Sequence, residues 1–472
     1  MKHFLVKQIN RVNFKTALEL FMLLSLLVVW IVWPLRGTIA ARNIALVLGA
    51  ISSIAWLCIE RPKFVMMDLL PIGFLLCVPV WLLSLYVFNP IVPYLQWDDL
   101  RGTWLRVVIE IIFAIGLGKL YLSRKQYQKF FLWLLYIWPV VILLLFISQG
   151  IFTHSWFGEQ IYIYVFKSKV AGVYFLIWSL VLCFAMAHWG LIKKIHYKSA
   201  IFISTTISNI TLVVLFFICI VDYFSLLSLN GFIVIFSGLT FFVYLVLLHG
   251  KQQLSGGRYF PGIRFFILTG FVAFALTVVT YDMKYSSGKL ANLVTDINFI
   301  VNDDTTGAWK YGGGEYHGIY PPINTISSTQ VNSSTYERVA WGLAGLKFLK
   351  SHPFGLGYTG QAFSYYMAKN YPGSVATKTH SGWLDFALGA GLIGLLFVWA
   401  AMGVIFWRAM IVIKDAIILD PMPIYIGWSI SILMLLWFIA ELSDREYIEH
   451  FTFMLTFFSI SVGIQKPLAQ KM

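Results

Sequence analysis

Apolar stretches long enough to cross a bilayer as helices recur from one end of this chain to the other, and no other sequence feature constrains its fold as tightly. They lie near residues 16–34, 41–59, 68–88, 103–121, 129–149, 170–190, 199–222, 229–249, 263–281, 381–406, 423–442 and 448–465. Each is close to the roughly 20 residues that about 30 Å of hydrocarbon demands of a helix. Only 12% of the 472 residues are charged and 59% are hydrophobic, against about 25% charged in a soluble domain. The expectation is an all-α integral membrane protein with about twelve transmembrane helices.

The cations set its orientation. With the N-terminus inside, 20 of the 35 Lys and Arg residues fall at inside ends, while the short outside loops hold 7, namely Arg36, Arg42, Arg101, Arg106, Lys167, Lys169 and Arg445. Short loops carry the positive-inside signal, so both termini are read as cytoplasmic. The net charge of +14 is then a topology signal and gives no reason to expect nucleic acid as a partner. The first apolar run is too long for a cleavable signal peptide and lacks a small-residue cleavage site. Cys58, Cys77, Cys183 and Cys219 fall inside expected spans, so the outside segment has no disulfide framework, and no CxxC or paired-His spacing points to a metal.

Three parts follow: spans one to nine over 1–281, a large outside loop over 282–379, and spans ten to twelve over 380–472. The loop begins as Gly-, Asn- and Ser-rich irregular chain, with Gly312-Gly313-Gly314 and Pro321-Pro322. Then Ser334-Thr335-Tyr336-Glu337 has the spacing of a capping box and starts a helix, which Pro353 ends near Ser351. Arg338, Trp341, Gly342, Gly345, Phe348 and Leu349 share one face of that helix. Arg338 is either an interfacial arginine, pairing with Glu337, or a guanidinium fork aimed at phosphate.

His380 opens the tenth span in Lys378-Thr379-His380-Ser381-Gly382-Trp383-Leu384-Asp385. A titratable imidazole at the junction of loop and membrane helix can meet both a lipid-linked and a water-borne substrate. His188, His196, His249 and His3 fall at cytoplasmic ends. His154, His317 and His450 are placed outside as supporting groups, and His352, before Pro353, shapes a turn.

Arg338-x-x-Trp341, Leu349-x-x-His352-Pro353-Phe354-Gly355-Leu356-Gly357-Tyr358, His380-Ser381-x-x-Leu384 and Gly389-Ala390-Gly391-Leu392-Ile393-Gly394 together closely resemble the O-antigen ligase and polymerase family of bacterial envelope glycosyltransferases. The specific resemblance covers about residues 335–396, and elsewhere it is one of topology. It implies transfer of a glycan from an undecaprenyl diphosphate carrier to a hydroxyl on the periplasmic face of the inner membrane, with no metal, cofactor or nucleotide sugar. It also implies that His380 is essential and that Arg338 engages the donor diphosphate. Tyr336, Trp341 and Tyr358 are the candidates for contact with sugar.

Many members carry Ser-Arg-Gly at the outer end of the eighth span, where this chain has Ser228-Leu229-Asn230-Gly231. Lys167 and Lys169 are the candidates to supply the charge missing at Asn230 in the donor site, or they simply sit in interfacial water. Histidine, with an unperturbed pKa near ~6.5, can take the proton of an acceptor hydroxyl, while Arg or Lys stabilises charge on the departing phosphate. Glu110, Asp222 and Asp385 are costly in or near spans and are weaker candidates. Asp385 sits about 140° round the helix from His380, so helix geometry alone does not orient the imidazole. The leading expectation is an O-antigen ligase with lipid A core as acceptor. Its rivals are a polymerase, a protein O-oligosaccharyltransferase and a lipid-linked sugar flippase, the last disfavoured by the lack of any sequence-evident pair of broken helices.

Overall fold

The computed structural model describes residues 2–154, 165–166, 168–196, 202–226, 229–253, 333–415 and 420–463, with short pieces between 272 and 311. The apolar runs form α1 (Lys2–Val32), α2 (Ile39–Glu60), α3 (Met66–Phe88), α5 (Leu105–Ser123), α6 (Lys125–Leu134), α7 (Ile137–Thr153), α8 (Lys169–His196), α9 (Phe202–Ser225) and α10 (Leu229–Gln253). A short α4 (Pro93–Asp99) precedes α5. Beyond the polar segment come α11 (Ser333–Ser351), α12 (Ala362–Asn370), α13 (Gly382–Asp415), α14 (Met422–Ile439) and α15 (Arg445–Ser461). Among the described residues there is no strand, only an isolated bridge between Leu35 and Phe166. Among the described residues, seven helical stretches are long and apolar enough to cross a membrane. This is an all-α, membrane-embedded protein. The expected runs other than 263–281 each coincide with a helix or helix pair, and 263–281 lies almost wholly outside the described residues.

Packing follows charge as well as hydropathy. α5 and α15 pack together, α2 packs on α1 and α5, and α13 lies between α3 and α14. The charged side chains in these helices gather at the two ends of the bundle. At one end Asp68 accepts from Arg408 at 2.6 Å and from Lys119 at 2.9 Å, all three buried. At the other, Glu449 pairs with Arg106 at 2.6 Å and Arg42 at 3.2 Å. Buried charges survive only when paired in this way. His450 is fully buried at this second end, its Nδ1 2.9 Å from the Tyr174 hydroxyl and its ring packed on Trp33 and Phe175. The expected span 448–465 already contained it, and α15, which begins at Arg445, five residues ahead of it, carries it into the aromatic core.

The tenth expected span, read as one uninterrupted helix over 381–406, is broken. Gly391 has φ 72° and ψ 174°, which interrupts α13 after Ala390. From Leu392 to Asp415 the helix is about 36 Å long at 1.5 Å per residue, enough to cross a bilayer unaided. The loop after α11 occupies the break. Leu356 N–H donates to Leu388 O at 3.0 Å, Gly357 N–H to Gly389 O at 2.9 Å, and Leu392 N–H to Pro353 O at 2.8 Å, while Trp81 Nε1 donates to Ala390 O at 2.8 Å. Backbone groups freed in a low-dielectric setting must find such partners. The approach tolerates no side chain, since a Cβ on Gly391 would lie 2.3 Å from Phe354 O and one on Gly355 2.3 Å from Gly391 N.

Candidate functional site

The short first part of α13 begins where the site is. His380 lies just before it, at φ 65°, in the left-handed region that costs a non-glycine residue of order 1–2 kcal/mol and that clusters at functional sites. Cross-connections hold it there. Gly382 N–H donates to Ala440 O at 2.8 Å, and Lys378 pairs with Asp444 at 2.7 Å. These ties lay the 378–382 turn along the 440–444 loop, between α14 and α15.

The result is a pairing that nothing in the sequence announces: His380 Nδ1 contacts the Glu441 carboxylate. An ionised carboxylate only accepts, so Nδ1 carries a hydrogen, and whenever the imidazole is neutral the lone pair is on Nε2. Nδ1 itself is buried, whereas the His380 side chain as a whole retains 19% exposure. On one face the imidazole stacks on Trp341, with centroids 5.3 Å apart and planes 9° from parallel. Trp341 is in turn fixed by a 2.7 Å bond from its Nε1 to Trp309 O. α11 comes this close because Gly345 has no side chain; a Cβ there would lie 2.7 Å from Thr379 Cγ2.

Arg338 lies one turn before Trp341 on the same helix face, half-buried, and its charge acts on Glu441. Burial holds its guanidinium below the ordinary value, opposed by Glu441 and Glu337, yet a guanidinium stays protonated in proteins. Burial raises the Glu441 carboxyl, but the His380 hydrogen bond and the charges of His380, Lys378 and Arg338 outweigh it and hold the group below the ordinary carboxylate range. Glu441 thus remains a carboxylate beside the imidazole.

The other expected site residues divide. Tyr336 is 2% exposed and accepts from Trp309 N–H at 3.3 Å, so it is part of a small core with Ile300 and Ala340. Tyr358 is equally buried, beside the Leu356–Gly357 strap that fills the α13 break. Neither presents a face to a sugar ring. His352 shapes the turn, its carbonyl accepting from Gly355 N–H at 3.0 Å. Lys169 starts α8 next to Ser168, whose hydroxyl is 3.5 Å from that of Tyr447 on α15, so its segment shares the His380 end of the bundle. Asn230 lies in the first turn of α10, and Lys167 lies outside the described residues. Glu110 and Asp222 are fully buried in α5 and α9.

Sequence reasoning missed Glu441. The available signal was its position in Ile439-Ala440-Glu441-Leu442, a carboxylate inside an expected span that ran to 442, where an unpaired charge is expensive. Fold and site define a helical membrane protein with a carboxylate-supported imidazole at one end of its bundle. Compared with known families and curated proteins, the chain matches no family model and no curated sequence.

Proposed function

We propose that this protein is a lipid-linked glycan transferase of the O-antigen ligase type, moving a polysaccharide from undecaprenyl diphosphate to the lipid A core on the periplasmic face of a bacterial inner membrane. The observation that carries the reading is one juxtaposition: an imidazole paired with Glu441, stacked on Trp341 and held in a left-handed turn, with the charge of Arg338 acting on the same carboxylate. In the reaction, the acceptor hydroxyl oxygen attacks the anomeric carbon and its proton passes to His380 Nε2. The bond from that carbon to the phosphate oxygen breaks, and the diphosphate leaves with the electron pair. Glu441 stabilises the imidazolium so formed, and Arg338 stabilises charge on the departing phosphate. The lysines at 167 and 169 are proposed as a second source of positive charge where Asn230 supplies none. Twelve spans, with the loop of 282–379 periplasmic and both termini cytoplasmic, complete the proposal.

A broken α13 is the kind of element that transporters use, which bears on the flippase alternative. Here the freed backbone groups are paired with the 353–357 strap and with Trp81, so no ion or sugar is needed to satisfy them. The test is purified protein incubated with an undecaprenyl-diphosphate-linked glycan and, separately, lipid A core, a protein acceptor or a second lipid-linked unit. Transfer to lipid A core that is lost in His380→Ala supports the reading. Transfer to another acceptor alone selects a rival transferase, and no transfer to any acceptor removes the enzyme class.

A further inference from the structure

We infer that Asp385 is a positioning residue that clamps together the two backbone segments carrying His380 and Glu441, an inference that rests on the transfer reading above. Asp385 is 4% exposed. Its Oδ1 accepts from Thr379 N–H at 2.8 Å, directly before His380, and its Oδ2 accepts from Ser443 Oγ at 3.3 Å, two residues beyond Glu441. The imidazole itself points elsewhere, to Glu441 and Trp341.

Three details give the clamp its purpose. The turn is closed on the other side of His380 as well, where Ser381 N–H donates to Thr379 Oγ1 at 3.2 Å. Thr379 is therefore the residue through which the turn is held, and Asp385 is what holds Thr379. Next, a left-handed histidine relaxes toward ordinary backbone unless its surroundings over-determine it. Thr379 N–H is also a backbone donor pointing into a buried place, and without Asp385 it loses its partner. Finally, the carboxylate sits in the first turn of α13, where the helix dipole favours negative charge.

The experiment uses the full-length protein in nanodiscs with an undecaprenyl-diphosphate-linked oligosaccharide as probe. Asp385→Ala, Asp385→Asn and Asp385→Glu are compared for turnover, for donor KM, and for the rate at which diethyl pyrocarbonate modifies His380, read by mass spectrometry. Loss of positioning is expected to lower kcat by about 10²-fold in Asp385→Ala while donor KM stays within about twofold, because the donor diphosphate is held by Arg338. Asp385→Asn keeps an acceptor for Thr379 N–H and is expected to retain most of the turnover. In Asp385→Ala the modification of His380 speeds up several-fold. Should Asp385→Ala fail to accumulate, Asp385→Glu decides, since it keeps charge and bonding capacity but displaces the turn. Wild-type kcat in Asp385→Ala, or in Asp385→Glu where that variant decides, overturns the inference, as does an Asp385→Asn as inactive as His380→Ala. If wild-type protein transfers nothing, the transfer reading fails, and His380 reactivity alone decides the clamp: unchanged rates in both variants overturn it.

Discussion

At the scale of single residues, the chemistry turns on which ring nitrogen of His380 is free, and Glu441 decides that by taking Nδ1. Glu441→Gln keeps the shape but loses the charge that stabilises an imidazolium. Turnover in the glycan-transfer assay is expected to fall by about 10²-fold or more, and undiminished turnover would remove Glu441 from the mechanism. The pairing also has a pH signature. Because Glu441 is held below its ordinary value in the folded protein, its contribution to stability is fully present above the ordinary carboxylate value and is lost as pH falls through the depressed one. Thermal midpoints of wild-type protein should therefore drop on acidification below about pH 4.5 more steeply than those of Glu441→Gln. Equal slopes would show that the pair stabilises nothing. Arg338→Ala should be severely impaired and Arg338→Lys partly rescued, since lysine keeps the charge and loses the bidentate fork.

Elements matter here chiefly through the break in α13. The glycines of the 353–357 strap and of residues 389–391 belong to one interlocked backbone crossing, so the motif that resembles a catalytic signature is largely architectural in this fold. Gly391→Ala combines a left-handed φ with a Cβ 2.3 Å from Phe354 O. It is expected to destabilise by about 3 kcal/mol, visible as a lower unfolding midpoint in detergent. By contrast Gly342→Ala, where a Cβ meets nothing within 4 Å, should leave the midpoint unchanged or raise it slightly through better helix propensity. Equal effects of the two substitutions would contradict the packing described.

Across the whole molecule, the two charged clusters mark opposite ends of one bundle. Asp68→Ala strands Arg408 and Lys119 without their shared carboxylate and should cost about 3–5 kcal/mol, measured by thermal unfolding. The clusters also offer a topology test. In protein without Cys58, Cys77, Cys183 and Cys219, a cysteine at Arg101, beside the His380 end, should react with an impermeant maleimide from the periplasmic side. One at Lys63, beside Asp68, should react only after permeabilisation. The reverse pattern would invert the proposed orientation and put His380 on the wrong face.

Much of this architecture is a local property of the chain. Hydropathy over some twenty residues is enough to specify a membrane helix, and the end of α11 at Ser351 follows from Pro353 two positions on. His380 and Arg338 stood out for the same reason, as polar residues in short recognisable surroundings. What lay beyond reach were relations between segments far apart in sequence. Glu441 reaches His380 because Gly382 bonds to Ala440, and Asp385 reaches Ser443 across 58 residues. The glycines at 389–391 read equally well as continuous helix until the strap fills the break. Tyr336 and Tyr358 looked like sugar platforms because an aromatic ring has the same letter in a core as in a cleft, and only packing distinguishes them. Hydrogen bonding within a helix and burial in lipid act over a few neighbours and are written in the local sequence. The partner of an imidazole depends on which loops the folded bundle brings side by side, and that is a property of the tertiary structure alone.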